Sequence, residues 1–153
     1  MTRETLAALG YAIARALDAE PVAAVFVYGS VAIGTDRVGS DVDTFVLLSE
    51  DVGERRRGIR AEFARLQRRL GYTPDAEHPV ELFTSADAAG ALDDAERAIR
   101  DGRLDRLTAE GDEREVLHAL TDSRLLLLGG DALDSLTARA ERLAALIRTS
   151  SAT

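Results

Sequence analysis

Two aspartates one residue apart, Asp41 and Asp43, sit at the head of the apolar run VDTFVLL. Side chains alternate faces along a strand, so a strand through this run projects both carboxylates to one side and Val42, Thr44 and Val46 to the other. Like charges held together repel unless a cation compensates them. A pair of carboxylates with no histidine or cysteine beside it suits a hard ion, magnesium above all, which keeps coordination positions open for phosphate oxygens. The preceding residues complement such an ion. In YGSVAIGTDRVGSDVD, Gly29 lets the backbone approach a ligand closely, and Ser30 adds a hydroxyl where a short helix is expected to begin, with amides able to meet phosphate. Gly34 and Gly39 permit the return turn to the next strand.

Each half of this pattern is common alone: glycine-serine often follows a strand, and Asp-x-Asp is usually a solvated strand end. The elements around them make the combination specific. VAAVFVY, 22–28, reads as a buried strand and 42–48 as a second one, so the small-residue turn joins two strands. GERRRGIRAEFARLQRRLG reads as a helix with Ile59, Phe63, Leu66 and Leu70 as its buried stripe and Gly71 as its stop. PVELFT is a short strand, and Ser85 caps a helix running to about Gly102. Leu104, Leu107, Val116, Leu117 and Leu120 suggest further helix. RLLLLGG reads as a strand or a buried turn, and DALDSLTARAERLAALIRT as a long terminal helix. Alternating strands and helices over the first hundred residues favour a layered α/β domain with a mostly helical last third.

Composition removes several classes of chemistry. The 153 residues are 46% apolar and 30% charged, enough for one core. A net charge of −8 argues against non-specific attachment to nucleic acid or an anionic membrane. There is no cysteine, so disulfides, thiolate metal sites and thiol nucleophiles are excluded, as suits a reducing cytosol. All nineteen cationic side chains are arginine, which excludes Schiff-base chemistry and the lysine of a Walker A loop. The opening LAALGYAIARALDAEPVAA is interrupted by Arg15, Asp18 and Glu20, and Leu6, Leu9, Ile13 and Leu17 recur at helical spacing. A cytoplasmic amphipathic helix over 2–19 is expected rather than a leader.

The pattern Gly-Ser, three residues, Gly, then Ser-Asp-x-Asp entering an apolar strand is carried by Gly29, Ser30, Gly34, Ser40, Asp41 and Asp43. It resembles the signature of the polymerase-beta-like nucleotidyltransferase superfamily, over 22–48 and extending to Thr84. The resemblance implies an α/β (α+β) fold, a small mixed sheet flanked by helices. The expected organisation is a catalytic core over 1–102 with a helical extension over 103–153 packed on it, in one compact domain.

The resemblance also implies two magnesium ions on Asp41 and Asp43 and a third carboxylate from a later strand, here Glu81 in PVELFT. Glu81 is similar to the third acid of the small-molecule adenylyltransferases that modify aminoglycosides, where it serves as general base. Gly29, Ser30 and Ser40 would bind the nucleotide. The implied reaction transfers a nucleoside monophosphate, AMP from ATP in the first instance, from a nucleoside triphosphate to a small-molecule or protein acceptor. Ile33 stands where many relatives carry arginine, and Thr44 where an aliphatic residue is usual. The short chain is similar to compact nucleotidyltransferases paired with helical partners, so a partner protein or a homodimer is expected at the acceptor side. The alternative is a silent, antitoxin-like binding module on the same fold. The arginines of 55–69 spread around their helix as a solvated surface would. His78 precedes the third strand and is a candidate acceptor contact, whereas His118 reads as structural.

Overall fold

The computed structural model describes residues 8, 12, 15, 21–37, 39–108 and 111–151. Ala8, Ala12 and Arg15 are helical; the rest of the helix expected over 2–19 lies outside the described residues. The chain divides into two compact units, one of Met1–Thr84 with Ser123–Gly130, the other of Ser85–Asp122 with Asp131–Thr153.

The first unit is built on a mixed four-stranded sheet, in agreement with the fold class the sequence implies. Its strands are β1 (Val22–Tyr28), β2 (Asp43–Leu48), β3 (Glu81–Thr84) and β4 (Arg124–Leu128), in the order β3-β2-β1-β4. β2 runs antiparallel to β1 and parallel to β3, while β4 runs antiparallel to the other edge of β1. The helices α1 (Ser30–Ile33) and α2 (Arg55–Arg69) belong to the same unit.

Register divides the sheet's side chains into two sets. Val25, Val46, Leu48 and Leu82 pack with Ile59 and Phe63 of α2, the stripe that helical periodicity predicts. On the other face Phe26 stacks on Phe45 at 5.0 Å between ring centroids, and Phe45 stacks on Phe83 at 5.4 Å. Parallel offset rings of this kind add about 1 kcal/mol per pair beyond the burial of their surface. Phe45 is paired in register with Phe26 on one side and Glu81 on the other. This aromatic ladder therefore fixes where the strand ends carrying Asp43 and Glu81 lie.

β4 realises RLLLLGG as a strand, one of the two readings its sequence allows. Its five residues, RLLLL, lack a clean alternation because the strand is half-exposed at the sheet edge. Close pairing with β1 is secured by Gly129, where an added Cβ would lie 2.0 Å from the carbonyl oxygen of Ala23. Arg124, opposite Tyr28 in register, places its guanidinium 5.5 Å from the centre of the Phe26 ring.

The second unit is helical. α3 (Ser85–Arg100), α4 (Asp112–Thr121) and α5 (Asp134–Ser151) pack on one another, with short 3-10 turns at Leu104–Leu107 and Asp131–Leu133. Ala88, Ala91, Leu92, Ala95 and Ala98 form the buried stripe of α3, and Val116, Leu117, Ala119 and Leu120 that of α4. Arg139 of α5 joins α3 by pairing with Asp93 and Glu96 and donating to the carbonyl of Ala89. Among the described residues no helix is long and apolar enough to cross a membrane.

Candidate active site

β2 begins at Asp43, so Asp41 lies just before the strand and not inside it. The alternation expected of a strand nonetheless holds through this segment. Val42 is buried with Val27 and Val31, while Asp41 is exposed and Asp43 half-buried. Thr44, the polar residue at a position where the resemblance leads one to expect an aliphatic side chain, is buried and donates its hydroxyl to the carbonyl of Val42 at 3.2 Å. The hydrogen bond satisfies the hydroxyl that burial removes from water.

β2 and β3 are parallel, so both begin at the same end of the sheet. Glu81 is the register partner of Phe45, two residues beyond Asp43. Parallel partners project to the same face, which places the Glu81 and Asp43 side chains on the aromatic side of the sheet. Asp41, Asp43 and Glu81 line one small cleft together with Tyr28, Gln67, Asp75, His78 and Pro79. Among the described residues the cleft is lined by four carboxylates and one imidazole, and by no arginine.

Gly29 meets this group from the end of β1. Its φ of 71° and ψ of −151° belong to a region open essentially to glycine alone. A Cβ there would lie 2.4 Å from Oδ2 of Asp43, so the Asp43 carboxylate rests directly on the Gly29 backbone. Gly29→Ala is therefore expected to displace Asp43 as well as strain the turn. We expect a stability loss of about 1 to 3 kcal/mol. A thermal melt checks it, and an unchanged melting temperature would show that the turn tolerates a Cβ at this position.

The remaining expected nucleotide contacts stand apart from the cleft. Ser30 opens α1, a single turn in which the Gly29 carbonyl accepts from Ala32 at 3.1 Å and Ile33 at 3.4 Å. Ile33, at the end of that turn, is 59% exposed. The Ser40 hydroxyl accepts the Arg37 amide at 2.9 Å, and its carbonyl accepts the Thr73 amide at 3.0 Å. Ser40 thus shapes the turn that delivers Asp41, and it is not among the residues lining the cleft.

The same turn is tied down by Tyr72, whose hydroxyl donates to Asp36 at 2.6 Å. Burial, and then the adjacent carboxylate, push the Tyr72 phenol up to about 12. The bond in turn holds Asp36 below the ordinary carboxylate range. Asp75, which lines the cleft, accepts the backbone amides of His78 at 2.8 Å and Glu77 at 2.9 Å, and these bonds hold its carboxyl below the usual range. The segment leading into β3 is folded back by this carboxylate.

Gln67 was not marked by the sequence pattern. It is fully buried within α2, four residues beyond Phe63 on the helix's apolar side. A polar residue at that spacing is the signal that would have found it, because a buried amide needs partners.

Chemically, Asp41, Asp43 and Glu81 offer only carboxylate oxygens, the donor set of a hard divalent cation. Among the described residues no three histidine, aspartate or glutamate side chains already stand gathered as a metal site. The donors are nonetheless of the right kind, share one cleft, and include one carboxylate seated on a glycine that leaves room for it. The residues present fit magnesium by that test.

The family described as nucleotidyltransferase domain matches residues 12–97, a span that contains Gly29, Asp41, Asp43 and Glu81. The chain belongs to this nucleotidyltransferase family, and the general activity the family supports is transfer of a nucleotidyl group. No curated protein and no solved structure gives a significant match.

Proposed function

We propose that the protein is a magnesium-dependent nucleotidyltransferase that moves a nucleoside monophosphate, AMP from ATP in the first instance, to a hydroxyl or phosphate of a small-molecule or protein acceptor. The observation that carries this reading is the cleft at the start of β2 and β3, which Asp41, Asp43 and Glu81 all line within the span matched by the family. Asp41 and Asp43 would hold the cation, and Glu81 would share it. When bound, magnesium would neutralise phosphate charge and make the acceptor oxygen easier to deprotonate.

The protein's own groups have separable tasks. Gly29 lies against the Asp43 carboxylate, where its backbone would meet the triphosphate, and Ser30 follows at the start of α1. Glu81 takes the proton of the acceptor as its oxygen bonds to the α-phosphorus, and the bond from that phosphorus to the bridging oxygen breaks to release pyrophosphate. His78, exposed on the cleft rim, is the nearest imidazole for an acceptor to touch. Positioning, more than covalent chemistry, is what the fold supplies.

Incubating the purified protein with each labelled triphosphate and magnesium, alone and with a cell lysate, tests the reading. Magnesium-dependent label on a protein or on a small molecule supports it and identifies the acceptor class. Triphosphate binding without transfer under every condition would favour the silent binding module acting through a protein partner.

A further inference from the structure

The carboxylates of the cleft come from two segments that are not adjacent in sequence, Asp41–Asp43 and the residues entering β3. A single side chain joins these segments. The Gln67 side-chain oxygen accepts the backbone amide of Val42 at 3.2 Å, and its Nε2 donates to the carbonyl of Pro79 at 2.7 Å. Val42 lies between the two aspartates, and Pro79 lies two residues before Glu81. Gln67 itself is 0% exposed and projects from α2, a helix anchored to the sheet by Ile59 and Phe63.

The chemistry of the amide explains why this residue type is needed. Val42 presents a donor and Pro79 an acceptor, so the bridge must accept at one end and donate at the other. A carboxamide does both from one planar group without adding charge beside the acids. Leucine or methionine would fill the space and do neither, leaving two buried backbone groups without this partner.

Resting on the carboxylate reading above, we propose that Gln67 is a positioning residue for nucleotidyl transfer: its carboxamide sets the separation of the Asp41–Asp43 segment from the Glu81 segment, so that the three carboxylates can share a cation. Fully buried, it would act through these two backbones rather than by touching substrate or metal. Groups that orient metal ligands in this indirect way commonly affect affinity about 10- to 100-fold.

The test compares Gln67→Met with Phe63→Leu, a packing change on the same helix, in the core cluster that also holds Val80, that removes neither Gln67 hydrogen bond. Calorimetry follows magnesium-dependent binding of a non-hydrolysable ATP analogue at a temperature where every variant is folded, and amide exchange follows Val42. Gln67→Met is expected to weaken that binding about tenfold or more and to speed Val42 exchange. Phe63→Leu is expected to lower the melting temperature yet leave binding near wild type. Gln67→Glu is the second variant, since a protonated buried acid again accepts from Val42 and donates to Pro79; it should recover most of the binding. Wild-type-like binding by Gln67→Met, or an equal loss in Phe63→Leu, would overturn the positioning role while leaving the carboxylate site standing. Absence of magnesium-dependent binding in the wild type itself would overturn the site reading and this inference together.

Discussion

Asp43→Asn is expected to lower nucleotidyl transfer about 10³-fold or more while the protein stays folded. Asp43 combines three positions that no other acid has: the first residue of β2, register pairing with Tyr28, and contact with the Gly29 backbone. Its carboxylate is half-buried, and asparagine keeps its shape while removing its charge. A neutral amide is a poor magnesium ligand, and losing one ligand of a catalytic cation removes about 4 kcal/mol of transition-state stabilisation, about 10³ in rate. Stability should move the other way or not at all, since the substitution relieves repulsion from Asp41 in the absence of metal. Single-turnover kinetics with saturating magnesium and a melt without metal separate the two effects. Activity within tenfold of wild type would remove Asp43 from the metal site.

The contrast between Asp43 and its neighbours shows which parts of the site were readable. Alternation in VDTFVLL placed Asp41 and Asp43 opposite Val42 and Thr44, and the structure keeps that division even though Asp41 falls just outside the strand. Glu81 was legible only with the family pattern in hand, because an acid in a four-residue strand carries no mark of the parallel pairing that brings it beside Phe45. Ser40 belongs to the pattern and yet its hydroxyl is spent on the Arg37 amide. A motif records that a residue type is needed, without saying whether a turn or a ligand needs it.

Non-local contacts account for the rest. β1, α2 and the stripe of α3 follow local periodicity and appear where it puts them. RLLLLGG leaves a strand and a buried turn both open, since RLLLL has no alternation and its partner β1 lies about a hundred residues earlier, a pairing that local pattern cannot encode. The stapling of two loops by Gln67 is of the same kind. Periodicity identifies the helix face but not the one polar side chain on it that reaches two separate backbones.

Glu81→Gln is expected to separate binding from chemistry. Glu81 enters the cleft from β3, half-buried, on the same face as Asp43 but from a different strand. Glutamine preserves the side-chain length and leaves Asp41 and Asp43 to hold the cation, so the triphosphate should bind with affinity within about tenfold of wild type, the lower end of the range for disturbed metal surroundings. It cannot accept the acceptor's proton. Removing a positioned base lowers the chemical step by about 10² to 10⁴, so kcat should fall by that factor with little change in the binding constant measured by calorimetry. Raising the pH should return part of the lost rate, because an acceptor hydroxyl that is already ionised needs no base, whereas Asp43→Asn should show no such return. The two substitutions therefore report different functions of one cleft. Equal losses of affinity and rate in Glu81→Gln would leave Glu81 its share of the cation without the role of base, and no loss of either would leave the β3 acid outside the reaction altogether.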